Sequence, residues 1–110
     1  MATVNRGRDI DLTRQEGDDS DVVFIVPAEA LTLTVDTTAI FQVKSIKEVI
    51  QFTKSSTINI TSQTITIPFI PSDTKGKSGN HRWELQVTDD SFVIKTIGGG
   101  MFRIRKELIV

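Results

Sequence analysis

The chain has 110 residues, a formal net charge of −1, 38% hydrophobic residues and no cysteine. This length suits a single domain with a core of its own, and the lack of cysteine excludes disulfides and thiolate metal sites. The near-neutral charge argues against a nucleic-acid-binding protein, because such proteins usually carry a clear basic excess. The longest apolar run, residues 22–26, is far shorter than the roughly 20 residues that a membrane-spanning helix needs, so no membrane partner is expected.

The N-terminal segment, residues 1–8, carries Arg6 and Arg8 with no apolar stretch behind them. This is not the pattern of a signal peptide, so we expect synthesis in a cytoplasm and a soluble product. We predict a flexible arm over residues 1–8, ordered on a neighbouring molecule, and one β-sandwich domain over residues 9–110.

Apolar and polar residues alternate in most segments between Ile10 and Ile104. Successive side chains of a strand point to opposite faces, so each such segment has one face for a core and one for water. The pattern predicts an all-β fold: a single antiparallel, immunoglobulin-like β-sandwich of about seven to nine short strands. The irregular stretch between Pro68 and Asn80 predicts at most one helical turn, near residues 72–76 and capped by Ser72.

Matching apolar residues across the turns predicts five hairpins in chain order. In the fourth, Val87 lies opposite Phe92 and Leu85 opposite Ile94, so that both Phe92 and Ile94 face the core. The predicted turns are centred on Gly17, Ile46-Lys47, Ser62-Gln63, Asp89-Asp90 and Gly99.

Few residues offer chemistry. The acidic turn, Glu16 to Asp21, has enough carboxylates to contact Ca²⁺, but a solvated turn is the preferred interpretation, and calcium binding is left open. His81 is the only histidine and has no cysteine to share a metal with. The three glycines at 98–100 suit a hairpin better than a phosphate loop, because a strand follows them. We therefore predict no enzyme activity, no cofactor and no metal.

One apolar run breaks the alternation. It leaves Val23 and Ile25 on the outward face of their strand, where a loop or another subunit would have to cover them. Three apolar residues at the end of the sequence are also expected to pack, either in the sheet or in a neighbour's groove. The candidate interface is made of Arg6, Arg8, Val23, Ile25, Leu108, Ile109 and Val110.

Five motifs follow one another in the chain: the turn Gln15-Glu16-Gly17-Asp18, the strand around Phe41-Gln42-Val43, the helical turn Ser72-Asp73-Thr74, the stretch Gly79-Asn80-His81-Arg82-Trp83 and the closing Gly100-Met101-Phe102. Their order resembles that in the small immunoglobulin-like domains of phage tail and baseplate proteins, and is similar to the N-terminal domain of baseplate upper proteins. The sequence departs from that family at Thr38, where a glycine is usual, and at Trp83, where a tyrosine is usual.

The resemblance implies a non-enzymatic structural component of a bacteriophage virion: a tail, baseplate or capsid-associated adaptor or decoration protein. Its location would be the virion, and its partners other virion proteins or further copies of itself, with no nucleic acid and no membrane. The alternative is a carbohydrate-binding or host-adhesion β-sandwich module, in which an exposed Trp83 would stack on a sugar. Burial of Trp83 in the core, the preferred interpretation, counts against this alternative.

Overall fold

The structure, a computed structural model, describes the backbone of residues 2–3 and the whole of residues 9–27 and 31–106. These residues form nine strands and one helical turn. In the described structure strand far outweighs helix, 54% against 4%, which confirms the all-β prediction. None of the described segments forms a helix long and apolar enough to cross a membrane. The elements are β1 (Ala2–Thr3), β2 (Leu12–Gln15), β3 (Val22–Ile25), β4 (Thr38–Ser45), β5 (Ile50–Ser55), β6 (Thr57–Asn59), β7 (Thr64–Ile67), α1 (Pro71–Thr74), β8 (Gly79–Thr88) and β9 (Ile94–Arg105).

The strands form two sheets packed face to face. One sheet has the order β1-β3-β7-β6 and the other the order β2-β9-β8-β4-β5. Alternate residues of both sheets point into a shared core, as the sequence pattern predicts. The described pairs are antiparallel except at the two N-terminal strands, since β1 runs parallel to β3 and β2 parallel to β9. The buried core residues are Val22, Phe24, Val26, Leu33, Ala39, Phe41, Val43, Ile65, Ile67, Phe69, Trp83, Leu85, Val87, Ile97, Phe102 and Ile104.

Aromatic rings hold the centre of this core. Trp83 is 1% exposed and stacks on Phe24 at 5.1 Å and on Phe41 at 5.6 Å between ring centroids, so it joins the two sheets. Its indole Nε1 donates a hydrogen bond to the backbone oxygen of Ile10 at 2.7 Å. The tryptophan therefore also fixes the segment that leads into β2, as a buried indole N–H requires a partner.

The glycines at 98–100 lie inside β9 and not at a turn, so the predicted hairpin centred on Gly99 is wrong. A Cβ at Gly100, whose φ is 152°, would overlap the backbone of Ile10. The Ile10 N–H donates to the oxygen of Gly99 at 3.0 Å. Because glycine permits this close approach, β2 pairs with β9, and the predicted hairpin between β2 and β3 is also wrong.

The helical turn closes one end of the sandwich. It spans Pro71–Thr74 rather than residues 72–76. Its cap comes from Asp73 and not from Ser72: the Asp73 carboxylate accepts the Ile70 N–H at 2.9 Å and pairs with Lys54 Nζ at 3.0 Å. The first position of the helix is proline, which needs no hydrogen-bond partner there.

Two hairpins differ from their predicted registers by two residues. Val43 and not Phe41 lies opposite Phe52, and Ile65 and not Ile67 lies opposite Ile58. Their turns contain residues with positive φ that are not glycine, Glu48 at 64° and Gln63 at 54°. A two-residue slip keeps side chains on their original faces, so Phe52 and Ile58 still pack against the core. Ile50, beyond a bulge, and Ile60, in the turn, are exposed instead.

Candidate interaction surfaces at the two ends of the sandwich

The exposed apolar side chains gather at the two ends of the sandwich. The Phe92 end is formed by the turns at residues 34–37, 60–63 and 89–93, and the Ile46 end by the turn at residues 46–49. Of the large apolar side chains that are exposed in the described part of the chain, Ile40 and Met101 lie on a sheet face and Ile70 lies just before α1. The Phe92 end exposes Val35, Ile60, Phe92, Val93 and Ile94, and the Ile46 end exposes Ile46, Val49 and Ile50.

The Phe92 hairpin is a well-ordered turn between β8 and β9. The carboxylate Oδ1 of Asp89 accepts the N–H groups of Ser91 and Val93, both at 2.9 Å. The Asp89 N–H donates to the Val93 oxygen at 3.0 Å, which closes the turn. Phe92 is 87% exposed and takes a φ of 62°, a conformation that is rare for a bulky residue.

This hairpin contradicts the predicted burial of Phe92 and Ile94. Ile94 lies opposite Thr88 instead of Leu85, and it is 65% exposed. The Asp89 side chain stabilises a longer turn than the predicted one at Asp89-Asp90, because it accepts two backbone N–H groups that would otherwise need strand partners. Compared with the predicted pairing, the partner of Ile94 is shifted by three residues along β8. Because three is an odd number, the shift moves Ile94 to the outer face of the sheet. A bulge between Leu85 and Gln86 changes the register of the remaining pairs.

Asp89→Ala should lower the free energy of unfolding by about 1–2 kcal/mol, since two N–H groups lose their acceptor at a partly exposed site. Asp90→Ala is the matched control, because Asp90 is exposed and has no hydrogen bond or ion pair in the described residues. Urea unfolding of the two variants measures the difference. Equal effects of the two substitutions would show that the carboxylate of Asp89 does not hold the turn.

The Ile46 hairpin presents a second apolar tip at the opposite end of the same sheet. Ser45 closes it: its N–H donates to the Val49 oxygen at 2.8 Å, and its Oγ accepts the Val49 N–H at 3.2 Å. Ile46, Val49 and Ile50 are 65%, 59% and 56% exposed. Nothing in the described residues covers these β-branched side chains.

The two ends differ in charge. The Phe92 end carries the carboxylates of Asp36, Asp89 and Asp90 with the single cation Lys95. The Ile46 end carries three cations and two acids, Glu48 and Glu84, which line the same depression as Lys44 and Arg82. Within residues 9–27 and 31–106, the structure shows one ion pair closer than 4 Å, between Lys54 and Asp73. The charged side chains at both ends therefore have no oppositely charged group within that distance. The cations at the Ile46 end are Lys44, Lys47 and Arg82, of which Lys44 and Arg82 are cross-strand neighbours.

The predicted interface residues are only partly within the described chain. Val23 and Ile25 lie half-buried on the outer face of β3, beside Thr66 and Thr64 of β7. They are less exposed than the apolar residues at the two ends. Arg6 and Arg8, together with the proposed arm, and Leu108, Ile109 and Val110 lie outside the described residues, so their roles stay predictions.

The acidic turn at residues 16–21 uses its carboxylates to hold the fold. Glu16 Oε2 accepts the Gly76 N–H at 3.1 Å, and Asp18 Oδ2 accepts the Gln15 N–H at 3.3 Å. Within the described residues, no group of three or more His, Asp or Glu side chains comes together as a metal site would require. The turn therefore connects β2 to the segment after α1, a role that the sequence spacing did not indicate.

His81 lies in β8, on its inner face. It is 8% exposed, and its Nε2 lies 2.7 Å from the backbone oxygen of Lys77. A carbonyl only accepts, so Nε2 carries the proton and donates.

A polar depression lies on the outer face of the sheet, between Lys44 and Glu84, but its volume of about 40 Å³ holds only a water molecule or two.

Comparisons with known proteins give a fold likeness and no family. No family model matches the chain, and no curated protein matches it by sequence. Among solved structures, CopC from Methylosinus trichosporium OB3b matches over 90% of this chain and 89% of its own, with a TM-score of 0.51 and 8% identity. At this identity the likeness shows a shared β-sandwich architecture.

The comparisons overturn the resemblance to phage tail and baseplate domains. CopC, a solved structure that matches this chain, is not a baseplate protein, so the β-sandwich arrangement that suggested the phage family also occurs outside it. The predicted virion role and virion location, which rested on that resemblance, are wrong. Of the properties expected from the phage family, only the β-sandwich fold remains. The carbohydrate-binding alternative also loses its sugar platform, because Trp83 is buried.

Proposed function

We propose that this chain is a non-catalytic protein-binding module that contacts its partner through the Phe92 end. The observation that carries the proposal is the exposed aromatic ring of Phe92 on a turn fixed by Asp89. A large apolar side chain on a rigid support is the usual anchor of a protein interface. Val35, Val93 and Ile94 extend the apolar surface around it.

The chemistry of the described residues supports a binding role over a catalytic one. His81 is the sole histidine of the sequence, and its Nε2 proton is engaged by a backbone oxygen. No serine or threonine hydroxyl is hydrogen-bonded to it, so it does not activate a nucleophile in the described structure. Of the four carboxylates at residues 16–21, those of Glu16 and Asp18 accept backbone N–H groups.

The backbone of Phe92 adds a second argument. A bulky residue at positive φ costs about 1–3 kcal/mol, and such strain persists where the surroundings impose it, often at binding sites. The side chain gains little in return, because only a small part of it is buried. An aromatic residue kept here at a cost to stability is consistent with a ring that is buried by a partner.

Phe92→Asn should therefore separate stability from binding. Asparagine tolerates positive φ better than phenylalanine, so the free energy of unfolding should stay the same or rise by up to about 1 kcal/mol. Partner binding should be lost. Met101→Gln is the matched control, since Met101 is a partly exposed apolar residue on the outer face of β9, away from this end. Urea unfolding measures the first effect.

Photo-crosslinking tests the contact itself, with the label in the place of Phe92. With p-benzoylphenylalanine in place of Phe92, illumination of cells that carry the protein should give one or a few discrete covalent adducts with protein. The same label in place of Thr53, an exposed residue in the middle of β5 between the two ends, should give none. Adducts that are equally abundant from both positions, or absent from position 92, would contradict the proposed function.

A further inference from the structure

We propose that the partner of the Phe92 end is the Ile46 end of a second copy of this chain, so that copies associate head to tail. The inference deepens the proposed function and rests on it. Its basis is that two exposed apolar tips of opposite charge lie at opposite ends of one five-stranded sheet.

The geometry excludes a contact between the two tips within one molecule. Thr38 and Ile94 mark one end of the sheet, both paired with Thr88, and Ser45 marks the other through its pairing with His81. The molecule is 45 Å long, close to the length of the extended strand β9. The two tips point away from each other, and only another copy brings them together.

Charge complementarity favours this arrangement over contact between like ends. Two Phe92 ends placed together would bring six carboxylates from Asp36, Asp89 and Asp90 close to each other. Two Ile46 ends would bring together the cations Lys44, Lys47 and Arg82 of each copy, which Glu48 and Glu84 offset only in part. Head-to-tail contact instead places acids against cations that have no close partner in their own molecule. Such complementarity suppresses the wrong pairings, because like charges at an interface are costly.

The size of the ends sets the expected strength. The molecule is 27 × 21 Å in cross-section, so an end-to-end contact buries roughly 1,000 Å² in total, at the lower limit for a specific interface. We expect weak association, seen at concentrations of about 100 µM and above and reversible on dilution. A contact between two different surfaces leaves one free tip of each kind, so the assembly grows beyond a dimer.

Two variants, each with one tip blocked, test the arrangement. Phe92→Asn removes the anchor of one end, and Val49→Asn places a polar side chain in the other. Both residues are exposed on turns, so the fold should be kept, which circular dichroism and unfolding curves check. Sedimentation equilibrium of the purified full chain gives the mass distribution of each variant and of their equimolar mixture.

The wild-type chain should show masses that rise with concentration beyond twice the 12.2 kDa monomer. Each variant alone should remain a monomer, because it lacks one of the two surfaces. The mixture should form a dimer and stop there, since the intact Phe92 end of one variant meets the intact Ile46 end of the other. Lys47→Glu, a charge reversal on an exposed residue, should weaken wild-type assembly and make it less sensitive to salt.

Three results would overturn the inference. The first is a wild-type chain that stays monomeric at about 500 µM, well above the range expected for an interface of this size. The second is a Val49→Asn variant that still dimerises alone, which would mean that Phe92 ends contact each other. The third is a mixture that behaves as its separate components. If the wild-type chain stays monomeric, or the mixture behaves as its separate components, while the label at position 92 still gives a protein adduct, the proposed function stands with a different partner. If that label gives no adduct, both the inference and the proposed function fail.

Discussion

Trp83→Ala should lower the free energy of unfolding by about 4 kcal/mol, a large part of the total for a domain of this size. Three losses combine. The substitution opens a cavity between the sheets, it removes the rings' contacts with Phe24 and Phe41, and it leaves the Ile10 oxygen without the indole donor. Denaturant unfolding monitored by circular dichroism measures the change.

Trp83→Phe separates the packing from the hydrogen bond. Phenylalanine keeps most of the apolar contact with Phe24 and Phe41 but has no N–H for the Ile10 oxygen, so we expect a smaller loss, about 2 kcal/mol. Amide exchange should speed up first at Ile10 and along β2, because the hydrogen bond fixes that segment. A Phe variant as unstable as the Ala variant would show that packing contributes little here.

Gly100→Ala should detach the edge strand β2. Its Cβ would overlap the backbone oxygen, carbon and nitrogen of Ile10, which cannot rotate away as a side chain could. The segment must move, and it loses the bonds from the Ile10 N–H to Gly99 and from Trp83 to the Ile10 oxygen. Together with the positive φ we expect a cost of about 2–4 kcal/mol, measured by thermal and urea unfolding, with amide protection lost over β2.

Gly76→Ala is the matched control for Gly100→Ala. Gly76 also has a positive φ, 76°, but a Cβ there meets nothing within 4 Å. It should therefore cost only the backbone strain, about 1 kcal/mol. Because Trp83 and Gly100 act on the same segment, the effect of Gly100→Ala with Trp83→Phe should be smaller than the two single effects added. Strict additivity would contradict a shared role in holding Ile10.

The sequence pattern predicts which side chains are buried far better than it predicts which strands are neighbours. Phe41, Val43, Leu85 and Phe102 all lie in the core, as alternation requires. Alternation repeats every two residues, so it cannot tell a correct register from one shifted by two. The hairpin between β4 and β5 is shifted in this way at Phe52, which stays on the inner face, whereas a bulge between Val43 and Lys44 turns Ile50 outward.

The candidate binding surface was missed for a related reason. The position of Phe92 depends on how many residues the turn uses, and that number is set by one side chain, Asp89. Aspartate in a turn is visible in the sequence, but its choice of N–H partners is not. The pairing of β2 with β9 was missed because the glycines at 98–100 resemble a turn until their contact with Ile10 is seen.

The parallel pairing of β2 with β9 has a mechanical consequence. Leu12 lies beside Phe102 and Gln15 beside Arg105, so the chain enters this pair at one end and leaves it at the other. A force that pulls the two termini of the chain in opposite directions slides the strands along each other, and all of their hydrogen bonds resist together. In an antiparallel pair loaded at one end the bonds would break one after another.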